Sequence, residues 1–451
     1  MMKLLLLFTF LLGTAFASDN DVTHRPKSFD VPGGKAVFAD FSEATYNITY
    51  DLLQKKVFAK AEIKLETVES GFPIFDSVIA PTSIRIDGEP VTALESKTPN
   101  QETTLRLVNK LIPAGLHTLS IELPITTLIE FLEGGVKSAF WTSDLDEREF
   151  LERYLPANFE FDQVKMTFNV NFIGGKSKQI IYTNGVVTST GENSFKISYP
   201  AYYTASSIFF HTVPQGHTSE LRFSLKSIDG RDIPAVVYFS KNSWNTNLER
   251  LKAKTTEVFH ELESDYGAFP HPSITVLQAG MGGMEYCGAT MTDFSALGHE
   301  LFHSYFARGV MPANGNSGWI DEALASWRDD GYQTLSTLSG TSGMSSHSYY
   351  TRTTDQAAYS FGERFMSYLD GKLKTKGGLK PFMRHMVDKR LFSPIFVEEF
   401  MKEMSDFYDV SVIEDFKKYT FGKRNMIDLN LKSNKSHIHR KMSVKELQNY
   451  L

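Results

Sequence analysis

Cysteine is almost absent from this chain: of 451 residues, only Cys287 carries a thiol. A single thiol closes no internal disulfide and builds no cysteine cluster, so any bound metal must be held by His, Asp or Glu. A surplus of positive charge is lacking as well. Lys and Arg number 47 against 53 Asp and Glu, a net charge of -6, which supplies no basic surface for gripping nucleic acid. Long apolar runs are missing too. The run Leu4–Leu12 falls well short of the about 20 residues a membrane helix requires, and no later stretch competes, so no stable membrane span is expected. Gly174-Gly175-Lys176-Ser177 lacks the first glycine of a phosphate loop, no Gly-x-Ser-x-Gly nucleophile elbow occurs, and no internal repeat is evident.

What is present is an ordinary globular composition. With 41% hydrophobic and 22% charged residues the chain belongs neither to the disordered nor to the collagen-like class, and its length allows two or three domains. Residues 1–17 combine Lys3, a short apolar run and Ala15-Phe16-Ala17, the pattern of an export signal cleaved after Ala17. An exported protein with one free thiol fits a periplasmic or secreted location.

Two architectures follow one another. From about residue 44 to 226 the hydrophobic period is two, as in Tyr46, Ile48, Tyr50 and Leu52 or in Met166, Phe168, Val170 and Phe172. Asp87-Gly88 marks a hairpin. Residues 18–230 are therefore expected to form an all-β, sandwich-like domain. Beyond Asp229-Gly230-Arg231 a strand at about 235–240 precedes a helix at about 244–265. A β run over Ser273–Gln278 leads into glycines, and helical faces such as Phe361, Phe365 and Leu369 follow. Residues 231–425 thus read as a mixed α+β domain. Ser336–Ser348 reads as a long mobile loop and 426–451 as a basic, solvated tail. The lone Cys287 is expected to be a small buried thiol rather than a nucleophile.

The sharpest local signal is His299-Glu300-Leu301-Phe302-His303 within an apolar helical segment. Residues four apart lie about 40° from each other around a helix, so both imidazoles can reach one ion. Glu322 follows eighteen residues after His303 on a second expected helix and supplies a third ligand. Two His and one Glu leave a corner of a tetrahedral Zn²⁺ open, the arrangement of a catalytic rather than a structural site. Glu300, turned about 100° from its ligand neighbour, can act as general base without binding the metal. Upstream, Gly282-Gly283-Met284-Glu285 ends a β run; the glycines permit close approach of a substrate backbone, and Glu285 can pair with an α-ammonium group.

Together, Gly282-Gly283-Met284-Glu285-Tyr286, His299-Glu300-x-x-His303 and Glu322 resemble the motifs of the M1 family of gluzincins, the zinc aminopeptidases related to aminopeptidase N and leukotriene hydrolase. Arg153-Tyr154-Leu155-Pro156 and Thr183-Asn184-Gly185 are similar to segments of that family's first domain, and Ala358-Tyr359-Ser360-Phe361-Gly362 to the segment carrying its catalytic tyrosine. The resemblance implies a multidomain α+β protein, in which a thermolysin-like zinc peptidase domain follows the β domain. It implies one Zn²⁺ on His299, His303 and Glu322, with Glu300 as base and Tyr359 as oxyanion donor. Gly282, Gly283, Met284 and Glu285 would bind a peptide with a free N-terminus, and a first-domain residue near Glu147 would line the amine pocket. Tyr286 replaces the family's Asn, and the stretches flanking His299 and Glu322 are short, so Tyr349 or Tyr350 also stand as candidate phenols. The family's large C-terminal helical domain is not expected here. An endopeptidase, a glycyl aminopeptidase-like enzyme, a hydrolase of a non-peptide substrate and a non-catalytic peptide-binding protein remain alternatives.

Overall fold

The computed structural model describes residues 24–101, 104–141, 149–240, 247–280, 282–313, 315–351, 353–422, 447–448 and 450–451. The expected export signal, Glu147 and most of the basic tail lie outside the described residues.

Period-two sequence becomes sheet throughout the first region. Strand Lys56–Thr67 alternates exposed and buried residues along its whole length, which is what a sheet with one solvated face requires. It is central in an eight-stranded sheet, flanked by Asp40–Asp51 and Gly115–Ile125, all antiparallel. Strand Lys165–Ile173 then joins Asp40–Asp51 in parallel, so Phe168 meets Tyr46 and Val170 meets Ile48. The expected hairpin is present, with Asp87 and Gly88 both at positive φ between the paired strands Ser83–Ile86 and Glu89–Pro90. A five-stranded and a four-stranded sheet complete this β region among the described residues.

The second region is built on a five-stranded sheet in the order Thr218–Lys226, Asp232–Ser240, Ile274–Gln278, Ala289–Thr292, Gly283–Tyr286. The first of these strands, expected to close the β domain, pairs instead along its length with Asp232–Ser240. The turn at Asp229-Gly230 is therefore a hairpin inside the second sheet. Helix Leu248–Tyr266, capped by the Asn247 side chain on Arg250 N, crosses from Asp232–Ser240 to the parallel strand Ile274–Gln278. It buries Leu251, Val258, Leu262 and Tyr266 against the sheet, at the helical spacing seen in the sequence. Helices Leu297–Phe302, Ile320–Asp329, Phe361–Lys372, Lys380–Arg390, Val397–Tyr408 and Ile413–Tyr419 pack around the same core. Among the described residues no helix is long and apolar enough to cross a membrane.

Two further expectations change. Ser336–Ser348 has no regular element, yet it is tied down: Met344 is buried, Ser342 N donates to Tyr419 O and Ser345 Oγ to Thr420 Oγ1. At the chain's end, Leu447 and Leu451 are buried in the first core and Tyr450 stands against Gly280, where a solvated tail was expected.

One side chain joins the two regions beside the future site. Asn184, on the turn after strand Gln179–Thr183, donates to Ser207 O and to Cys287 O and accepts from Phe209 N. Cys287 is itself buried, its thiol pushed up to about 12 by burial, which makes it the inert packing group the sequence suggests.

Candidate active site

Three elements converge on the His-Glu-x-x-His segment. Helix Leu297–Phe302 buries Leu297, Leu301 and Phe302 in the second core, and this anchors the opposite face, with His299 and His303, against helix Ile320–Asp329. Glu322 Oε2 lies 3.0 Å from His299 Nε2 and 3.4 Å from His303 Nε2. The three ligand atoms fall within 4.8 Å of one another, and all three residues are buried.

Each ring is aimed by its other nitrogen. His299 Nδ1 is 2.7 Å from Asp329 Oδ2, and His303 Nδ1 is 3.0 Å from Phe306 O. Glu322 and Asp329 are seven residues, about two turns, apart on one helix, so a single helical face addresses both nitrogens of His299. Arg328 in turn donates to Asp329 Oδ1 and makes a two-point contact with Glu261. His303 Nε2 is buried without a hydrogen-bond partner among the described residues. A buried imidazole nitrogen without a hydrogen-bond partner, beside a carboxylate and a second imidazole, fits a zinc ion as its missing partner.

The electrostatics agree with that donor set. Burial works to raise the Glu322 carboxyl, but the His303 and His299 imidazoles overcome it and hold the group well below the usual carboxylate range. Burial likewise opposes protonation of His303, and Glu322, helped by Glu285, outweighs it and lifts the ring to about 9. Glu300 behaves differently. Burial pushes its carboxyl up to about 8 against the pull of the two imidazoles, with Glu285 and Glu322 adding to the rise. A carboxyl so placed exchanges protons near neutral pH, as a general base must.

The glycine strand lies directly on Glu300. A Cβ on Gly283 would fall 2.1 Å from Glu300 Oε1, so a larger residue there would have to displace the Glu300 carboxyl, and Gly282 enters the strand at φ +79°, in the left-handed region. Strand Gly283–Tyr286 is the edge of its sheet. Alternation along it sets Gly283 and Glu285 on the Glu300 side, while Met284 and Tyr286 turn into the first core. Met284 therefore supports the strand from behind.

Tyr359 arrives through a helix contact. A Cβ on Gly362 would sit 2.7 Å from Ala323 Cβ, so helix Phe361–Lys372 approaches helix Ile320–Asp329 at the residue beside Glu322. The Tyr359 phenol is thereby shielded, and burial first, then the neighbouring Glu322 carboxylate, raise its pKa well above the usual value. Tyr349 and Tyr350 are elsewhere. Tyr350 Oη donates to Lys27 O, and Tyr349 packs on Phe396. Substituting Gly362→Val is expected to force the two helices apart and to cost roughly 1–3 kcal/mol, read by urea denaturation; an unchanged midpoint would show that the contact is not tight.

Three residues of this site carried no signal of their own. Asp329 was findable only as a seven-residue echo of Glu322. Arg308, just past helix Leu297–Phe302, donates through Nη2 to Glu285 Oε1 at 2.7 Å, and Glu160 of the first region lies 3.8 Å from the same guanidinium.

No protein-family model and no curated protein matches the sequence. Solved structures do. Native yeast LTA4 hydrolase is similar over 86% of this chain and 69% of its own, at 15% identity and a TM-score of 0.60. An M1 zinc metallopeptidase from Deinococcus radiodurans is similar over 82% of this chain and 90% of its own, at 13% identity and a TM-score of 0.60. A mutant of that metallopeptidase bound to a Tyr-Ser-Ala substrate matches with a TM-score of 0.61 at 13% identity, over 82% of this chain and 90% of its own. The β-rich first region and the α+β second region of this chain thus share the multidomain fold of M1 zinc metallopeptidases and LTA4 hydrolase.

Proposed function

We propose that this chain is a zinc-dependent aminopeptidase, which removes the N-terminal residue from peptides. The observation that carries the proposal is the shared face of one edge strand: Gly283 touches Glu300, and Glu285, two residues on, faces the same cluster. A general base and an amine-binding carboxylate then line the same face of the strand, so one bound peptide terminus can meet both.

His299, His303 and Glu322 would hold the zinc ion, with Asp329 and Phe306 O fixing the two rings. When bound, zinc supplies Lewis acidity toward the scissile carbonyl and lowers the pKa of water to about 7. The remaining steps belong to the chain. Glu300 takes the proton of the attacking water and passes it to the departing amine. The Tyr359 hydroxyl donates a hydrogen bond to the carbonyl oxygen as negative charge develops there. Glu285 accepts from the α-ammonium and so sets which bond is cut. The edge strand Gly283–Tyr286 offers backbone groups along which an extended peptide can align.

The test compares one peptide with a free and an N-acetylated terminus on zinc-loaded protein. The acetylated form is expected to be cleaved at least about 100-fold more slowly in kcat/KM, because it loses the charge-assisted contact between its α-ammonium and Glu285. Equal rates would remove the aminopeptidase reading and leave a zinc endopeptidase in its place.

A further inference from the structure

Glu285 does not wait for substrate alone. Arg308, only 3% exposed, donates through Nη2 to Glu285 Oε1 at 2.7 Å and through Nη1 to Ser206 Oγ. The same Nη1 lies 3.8 Å from Glu160 Oε1, and the guanidinium carbon is 5.6 Å from the centre of the Phe150 ring. Ser206, Glu160 and Phe150 belong to the first region, Glu285 and Arg308 to the second. One guanidinium therefore ties the amine-binding carboxylate to both halves of the molecule.

The backbone goes out of its way to deliver it. Ala307, immediately before Arg308, has φ +121°, a region that residues with a Cβ rarely occupy. Arg308 N donates to His303 O at 2.9 Å, so the turn is locked to a metal-ligand residue. Gly309 completes it, since a Cβ there would meet Tyr305 O at 2.4 Å. Strain of this kind persists where surrounding contacts over-determine a position, and here the position determined is that of Arg308.

A charged donor fixed on Glu285 Oε1 sets the plane of that carboxylate, and with it the direction from which the carboxylate meets an α-ammonium. Without Arg308 the carboxylate would lose that donor. We propose that Arg308 is the positioning residue of the amine pocket: it orients Glu285 toward the α-ammonium of a peptide with a free N-terminus. This rests on the aminopeptidase reading above.

The experiment uses the full zinc-loaded chain and the same free and N-acetylated peptides. Arg308→Gln is expected to raise KM for the free peptide about tenfold while kcat stays within about threefold and cleavage of the acetylated peptide is unchanged. Arg308→Lys, which keeps the charge and one donor, is expected to recover KM to within about threefold of the native value. Calorimetric binding of the free peptide to Glu300→Gln protein, with and without Arg308→Gln, should show the same loss without any turnover. An unchanged KM, or an equal rise for both peptides, would overturn the proposal and reduce Arg308 to a structural tie. A fall in KM would overturn it too, because Arg308 would then be a competitor of the ammonium. Should Arg308→Gln fail to fold, Glu160→Gln takes its place, with the same selective rise in KM expected and an unchanged KM overturning the proposal. If native protein treats both peptides alike, the aminopeptidase reading itself has failed and this inference falls with it.

Discussion

Replacing Glu300 by Gln is expected to lower kcat for peptide hydrolysis by about 10³- to 10⁴-fold while leaving one zinc per chain. The substitution keeps the shape of a side chain that is 1% exposed and lies against Gly283, so it leaves no cavity and displaces no backbone. It removes only the ability to take up a proton. Glu300 is not among the three residues whose ligand atoms cluster, so metal content by mass spectrometry should be that of native protein. The two measurements together separate the hypotheses. Lost turnover with retained zinc supports Glu300 as base. Retained turnover would mean that another group accepts the proton, and the roles assigned around the cluster would have to be redrawn. Absence of turnover in native, zinc-loaded protein would favour a peptide-binding protein on the same fold.

Much of this site was legible because its signals are local. Two imidazoles four residues apart need only a helix to meet, and the helix was written in Leu297, Leu301 and Phe302. Likewise the alternation along Lys56–Thr67 and the spacing of Leu251, Val258 and Leu262 fix which face is buried before any tertiary contact forms. What was not legible depends on contacts between distant segments. Thr218–Lys226 carries the same alternation whichever sheet it joins, so sequence period could not assign it to the second. That Tyr359, rather than Tyr349 or Tyr350, stands beside Glu322 turns on how closely Gly362 lets two helices approach. Arg308 was unremarkable in sequence, because its meaning comes from Glu285, 23 residues earlier, and Glu160 in the other region. Glu160 is a first-region acid that the structure brings beside Arg308; Glu147, expected near the amine pocket by resemblance, lies outside the described residues. The buried chain end was hidden for a simpler reason: Leu447 and Leu451 stand four apart in a stretch rich in lysine, and net charge there outweighs two apolar residues in any composition-based reading.

The protein is also expected to lose stability in mild acid through two histidines that the chemistry does not use. His211 and His271 are both fully buried. His211 Nδ1 is 3.0 Å from Tyr238 Oη and His271 Nε2 is 3.0 Å from Ser304 O, while the second nitrogen of each ring has no hydrogen-bond partner among the described residues. Burial pushes both rings down to about 3; Lys137 adds to the effect on His211, and Arg308 and Arg231 add to it on His271 against the Ser304 hydrogen bond. In the unfolded chain each titrates near about 6.5. Between those values the unfolded state holds a proton at each ring that the native state refuses, so stability rises with pH up to about 6.5 and falls as the solution is acidified. Each ring contributes up to about 1.4 kcal/mol per pH unit, with the full slope reached only below the unfolded pKa, so that going from pH 6.5 to 5 costs about 3 kcal/mol for the pair, a large share of the 5–15 kcal/mol that typically holds a domain together. Glu300 and Asp162, raised by burial, act in the opposite sense over part of this range, and the lowered carboxylate of Glu403 acts below it. A difference between two proteins cancels those contributions. Urea denaturation of the double variant His211→Gln, His271→Asn should therefore lose about 3 kcal/mol less than the native sequence over that interval. Equal losses would mean that both imidazoles take up protons in the folded state, and hence that water reaches rings the packing encloses.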